Sequence, residues 1–174
     1  MAQPGSAVPF LLRRQSDVIG LMEMTSTTEK SYGVLRIEGE TLVVQWGTAR
    51  ETQKVGLVMK TDRALDPVRE ERIPLAGLAG ANIGWQWLRW PPGPSLVLRA
   101  ADLRAFEGLA GGAGLVLEHP AELTLGIRRR DRGLAREFAA ELEMHLADQA
   151  LKAAERRDRV ESGDRRPGPR LSGS

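Results

Sequence analysis

Cysteine is absent from these 174 residues, which removes disulfides, thiolate metal sites and thiol nucleophiles together and makes a reducing compartment, the cytoplasm, the natural expectation. Histidine occurs twice, as His119 and His145, with no HExxH or HxxxH spacing, so neither a zinc site nor a catalytic triad is expected. Lysine is confined to Lys30, Lys54, Lys60 and Lys152. Nearly all positive charge is therefore arginine, which with abundant Ala, Gly and Pro reads as high-GC coding bias and weakens any inference from arginine content to phosphate recognition. A long apolar run is missing too. The uncharged stretch Ile73–Leu88 is broken by Pro74, Asn82, Gln86 and glycines, and AVPFLL (7–12) has basic residues only after it, so neither a membrane span nor a signal peptide is expected.

The sequence pI is about 9.4 with a formal net charge of +2. Residues 156–174 hold six arginines against Asp158, Glu161 and Asp164, a net of +3, which leaves about −1 for the rest. Basicity belongs to the tail. Residues 1–15 and 158–174 are rich in Gly, Pro, Ser and Arg without hydrophobic period and are expected to be a disordered arm and a disordered basic tail.

Between them, at 16–157, lies one domain whose hydrophobic period changes once. From Tyr32 the signals are strands: GVLRIEG (33–39) and TLVVQWGTAR (41–50) form a hairpin across Glu38-Gly39-Glu40, with Leu42, Val44 and Trp46 on one face. ERIPL (71–75), ANIGWQWLRW (81–90), SLVLRA (95–100), AGLVLEH (113–119) and AELTLGIRR (121–129) follow, and DVIGLMEM (17–24) and KVGLVMK (54–60) are further candidates. Thr61 to Arg69, with Pro67, reads as loop. After Arg130 the period becomes helical: Asp131 is the expected N-cap, and Leu134, Phe138, Leu142 and Leu146 recur every four residues through a helix over about 132–156. Such a helix is longer than a small β-domain needs for its open end, so its overhang past Leu146 is a candidate partner contact.

Antiparallel strands followed by one amphipathic helix, carried here by RIPLAGLAGANIGW (72–85) and SLVLRAADLRAFEGLAGGAGLVLEHPAELTLGIRRRDRGLAREFAAEL (95–142), resemble the bacterial pleckstrin-homology-like (PH-like) domains over residues 30–150. The resemblance implies two bent antiparallel sheets plugged at one end by the helix, and a role in interaction or assembly, often as an oligomer. Phosphoinositide-binding members carry Lys and Arg around the first hairpin, where this sequence has Glu38-Gly39-Glu40, and eukaryotic members have Trp in the final helix, where Phe138 stands here.

The residues offer little catalytic chemistry. GLAGGAG (108–114) resembles a phosphate loop, but no Lys-Ser or Lys-Thr follows and the next segment reads as strand. Glu137, Glu141 and Glu143 fall on the expected polar side of the helix. In IRRRDR (127–132), Arg128 and Arg130 share an expected strand face, and Arg132 and Arg136 lie one helical turn apart. In WQWLRWPPGP (85–94), strand parity puts Trp85 and Trp87 in the core with Ile83, and leaves Trp90 at a proline-stiffened tip beside Arg89. Arg89, Trp90, Arg128, Arg130, Arg132 and Arg136 are the candidate binding residues. The function expected is that of a non-enzymatic binding or assembly module, without metal, cofactor or small-molecule substrate, whose partner is a protein or a second copy. The alternative is association with a membrane surface or nucleic acid through the arginine corner and the basic tail.

Overall fold

The computed structural model describes residues 7–20, 23–56, 58–86, 92–110, 115, 117 and 119–163. It is mainly β, with one long C-terminal helix. Strands β1 (Val8–Ile19), β2 (Met24–Glu38), β3 (Thr41–Val55), β4 (Lys60–Leu65) and β5 (Arg69–Pro74) form an antiparallel meander, in which β4 and β5 pair successive halves of β3. A 3-10 turn at Leu75–Gly77 leads into a second meander, β6 (Leu78–Gln86), β7 (Gly93–Ala100) and β8 (Glu122–Gly126). β8 returns beside β1, giving the strand order β4-β3-β2-β1-β8-β7-β6. A second 3-10 turn, Leu103–Phe106, runs into the short helix α1 (Glu107–Ala110), and α2 (Arg132–Gly163) ends the described chain.

Both meanders close over one core. Leu35, Leu42, Trp46 and Ile73 meet Leu96, Leu98, Leu123 and Leu125 from the second meander, and Phe106, Leu109, Phe138 and Leu142 fill the space between. The expected pattern of Leu42, Val44 and Trp46 on one face holds, as does the alternation of Leu123, Leu125 and Ile127. The hairpin over Glu38-Gly39-Glu40 also holds: Glu38 pairs Thr41, and Gly39 takes φ +60° at the first of two turn positions, the left-handed conformation in which glycine carries no steric cost.

Several expectations are corrected. Residues 8–15, expected in a disordered arm, are strand, because Val8 and Phe10 reach the core and the register from Val8↔Leu35 to Ile19↔Met24 is unbroken. The first hairpin is thus β1–β2, and the turn over 38–40 is the second. DVIGLMEM and KVGLVMK contain turns where strands were expected: the chain reverses between Ile19 and Met24 and between Val55 and Lys60. Thr61–Leu65 is strand where a loop was expected. Of the strand expected at 113–119, residues 113, 114, 116 and 118 lie outside the described residues; the buried Leu115 donates its N–H to Leu109 O at 2.7 Å, and His119 makes an isolated bridge to Glu122. The helix runs to Gly163, past the expected end at 156, so residues 158–163 belong to it. Residues 1–6 and 164–174 lie outside the described residues.

The far halves of β1–β4 leave the core. From Arg13 to Ile19 every residue of β1 is exposed, as is all of β4, so these strands form a projecting four-stranded arm. Its core-side face is polar, with cross-strand rows such as Arg14–Glu29–Arg50 and Ser16–Thr27–Thr52. Glu29 accepts from Arg50 Nε at 2.8 Å, and Ser31 Oγ lies 2.8 Å from Thr48 Oγ1. The end row Ile19–Met24–Val55 is apolar and exposed, with Val58 and Met59 beside it in the turn.

Candidate functional site

The arginine corner is built where β8 hands over to α2. Leu11 pairs Gly126, where a Cβ would meet Leu11 O at 2.5 Å, so glycine lets β1 and β8 close the sheet. Ile127 N–H then donates to Pro94 O at 2.9 Å, which ties the junction to the start of β7. Trp85 pairs Pro94 and Gln86 pairs Gly93, so both stems of the β6–β7 loop stand at this end of the molecule.

β8 stops at Gly126, before the first of the arginines. Arg128 is extended, with φ −68° and ψ 144°, and Arg129–Asp131 form a 3-10 turn closed by Asp131 N–H to Arg128 O at 2.9 Å. Arg128 and Arg130 therefore do not share a strand face. Arg128, Arg130, Arg132 and Arg136 are all exposed, and Arg132 and Arg136 stand one turn apart on α2, as expected. Asp131, expected as the N-cap, is instead the last residue of that 3-10 turn, whose own N-cap position is Arg128 with no side-chain capping hydrogen bond. Asp131 Oδ1 lies 3.6 Å from Arg130 Nε, while its buried Oδ2 has no hydrogen-bond partner among the described residues.

The contact that sequence reasoning missed is Arg129 over Trp85, with the guanidinium carbon 5.7 Å from the ring centroid. Trp85 is half-buried rather than a core residue, while Ile83, two positions earlier on the same face, packs on the core. A guanidinium on an indole face is held by the ring quadrupole. The signal lay in the β7–β8 pairing: with Ser95 opposite Gly126, the residues after Ile127 must approach Pro94, and Pro94 pairs Trp85. Arg89, Trp90 and Trp87 lie outside the described residues.

The other candidates are structural. His119 Nδ1 accepts the Ala121 N–H at 3.1 Å within the turn before β8. Gly108 of GLAGGAG sits in α1, where a Cβ would collide with the Glu71 carboxylate, and the rest of the run, 111–114, lies outside the described residues. Glu143 is not simply solvated: its Oε1 accepts the Ala81 N–H at 2.7 Å, so a side chain of α2 satisfies the backbone of edge strand β6. A shallow open hollow passes Glu137, Glu141, Met144, His145 and Asp148, all on one helix, and so encloses nothing. No helix among the described residues is long and apolar enough to cross a membrane.

Arg50 is held above its ordinary value by the hydrogen bond to Glu29, and Arg36 likewise by Glu38, whose own carboxyl is lowered by Arg36. These pairs lie on the sheet, away from the arginine corner. The corner is thus an exposed cationic surface with one stacked guanidinium. No family model, curated protein or solved structure matches the chain.

Proposed function

We propose that this chain is a non-enzymatic assembly module of PH-like type that works through protein–protein contact or self-association. The strand order supports the PH-like reading: a four-position meander, then a three-strand meander that returns beside β1, then a terminal helix. The first hairpin in that reading is β1–β2, and the sequence between its strands, residues 20–23, holds no basic residue to clamp a phosphate.

The observation that carries the assembly reading is how much regular structure stands outside the core. Beyond Leu146, α2 continues for about 25 Å with Leu151 and Val160 exposed, and the arm adds the exposed end row Ile19–Met24–Val55 and the exposed strand β4. Ordered helix and strand that bury little on their own chain gain their stabilisation from a partner. Sedimentation of the full chain and of a chain ending after Leu146, over about 1–100 µM, tests this. Concentration-dependent association in the full chain is expected, and a monomer that also captures no protein partner would remove the reading.

A second reading is favoured by one observation, the exposed Arg128, Arg130, Arg132 and Arg136 around the stacked Arg129. In it the corner holds an anionic lipid surface or nucleic acid, and the affinity falls steeply with salt. Absence of binding to anionic liposomes and to oligonucleotides at low salt would reject it.

A further inference from the structure

The sheet has two edges, and the fold treats them differently. The β6 edge is lined by α2, with Glu143 on the Ala81 N–H. The opposite edge is shared by β5 and β4. β5 is flanked by the 3-10 turn Leu103–Phe106 and by α1, where Gly108 leaves room for Glu71. β4 has nothing on its outer side among the described residues, and all six of its residues are exposed. A bare edge strand is a template for another strand.

We propose that β4 pairs with β4 of a second copy of this chain, antiparallel and centred on Thr61, so that the two four-stranded arms become one eight-stranded sheet. The inference rests on the assembly reading and narrows it to one surface and one partner. A two-fold axis across antiparallel edges stands perpendicular to the sheet and keeps each side chain on its own face. The pairing must therefore be centred on a single residue, and the sequence decides which. Centres at Lys60, Asp62 or Arg63 set that charge against its own copy. A centre at Ala64 sets Asp62 against Asp66 of the second copy, and one at Leu65 runs the ladder into Pro67, which has no amide to give. A centre at Thr61 sets Lys60 against Asp62 of the second copy, twice, and Thr61 against its own copy.

That register also answers a conflict within one chain. Lys54 lies directly opposite Lys60 in the β3–β4 pairing, a like-charge pair that costs stability, and Asp62, 3.8 Å from Lys60, relieves it only in part. In the paired arms, Asp62 of the second copy adds a carboxylate to the row of Lys54 and Lys60. The exposed Met59 and Val58 come opposite Arg63 and Ala64 of the second copy, whose stem and methyl group can cover them.

The test is charge exchange in the full chain, read by sedimentation over about 1–100 µM. Lys60→Asp and Asp62→Lys each set like charges together across the axis, and each weakens the dimer about tenfold or more. The exchange K60D/D62K restores both pairs and returns the affinity to within about threefold of the starting chain. Lys60→Asp gains Lys54 as an opposite charge but turns the contact with Asp62 into a like-charge one, so thermal unfolding of the monomer stays nearly unchanged while association falls. Because the chain has no cysteine, Thr61→Cys is a second reporter: the Cα atoms of a facing antiparallel pair lie about 4.5–5.5 Å apart, within disulfide range. Mild oxidation therefore cross-links Thr61→Cys much faster than Arg63→Cys. A dimer indifferent to the charge exchange, with equal cross-linking at both positions, overturns the inference but leaves the assembly reading standing. A full chain that stays monomeric throughout overturns the inference together with the self-association half of that reading.

Discussion

The ring of Phe10 lies directly over Gly33, its cross-strand partner, in the space a Cβ at Gly33 would fill. The glycine also faces Gln45 O of β3, so β2 is pinched between an aromatic ring and a backbone carbonyl where the arm enters the core. Gly33→Ala therefore overpacks the site and costs about 1–3 kcal/mol or more, measured by urea unfolding. Combining it with Phe10→Leu relieves the clash with the ring but not the one with Gln45 O. The two changes should be non-additive and recovery incomplete.

On the outer face, Arg36, Glu38, Glu70 and Arg72 interlink above Val43, which is fully buried although it points away from the main core. Arg36 lowers the Glu38 carboxyl by hydrogen bonding. A lowered folded value means the contribution is present above the ordinary glutamate value of 4.5 and is lost as pH falls through the folded one. The pairs are exposed, so the effect is small. Glu38→Gln should flatten the acid limb of the stability profile and leave neutral-pH folding nearly unchanged, as thermal melts from about pH 3 to 7 would show.

The sequence made the inner sheet readable and the arm unreadable, for a physical reason. Leu123, Leu125 and Ile127 alternate because one face of β8 meets the core and the other does not. Thr25 to Ser31 and Thr61 to Leu65 are strands whose two faces are both partly or wholly solvated, so no alternation marks them. Conversely, the apolar runs around Ile19 and Val58 resemble buried strand, yet Val18, Ile19, Val58 and Met59 are 67–81% exposed at the arm's end. At the arginine corner, the residue types were legible but the register was not. Parity placed Arg128 and Arg130 together, whereas the strand had already ended and Arg129 was the residue delivered to Trp85.

That stack gives its own prediction. Arg129→Ala should cost about 0.5–1 kcal/mol, the value of an exposed cation–π contact, and should change Trp85 fluorescence. Arg128→Ala and Arg132→Ala should leave both nearly unchanged. Equal effects from all three would mean that the stack contributes nothing beyond general charge.

Glu143 ties α2 to β6 through one hydrogen bond to Ala81 N–H. A carboxylate acceptor makes such a bond worth about 1.5–3 kcal/mol when shielded and less at an exposed site. Glu143→Ala should therefore speed hydrogen exchange at the Ala81 amide while leaving exchange in β2 and β3 unchanged. Glu143→Gln keeps an acceptor and should recover most of the protection. Uniform loss of protection across the sheet would instead mean that the helix and strand open together with the whole domain.

The helix itself divides into two functions along its length. Ala135, Phe138, Ala139 and Leu142 are buried, with small residues at two of the four positions letting the helix approach the sheet, while Leu134 stays partly exposed at 43%. Phe138→Ala should then cost about 3–5 kcal/mol as a core cavity. Leu151 and Val160 lie in the overhang at 60% and 73% exposure, so Leu151→Ser with Val160→Ser should change thermal stability little beyond the helix-propensity cost of Leu151→Ser, about 0.5 kcal/mol, Val and Ser being nearly equal in propensity. If the overhang carries a contact, the same double change weakens association, and the loss of partner binding separates cleanly from the loss of fold. A large stability loss from the overhang pair would place its side chains in intramolecular packing and take the helix end out of consideration as a docking surface.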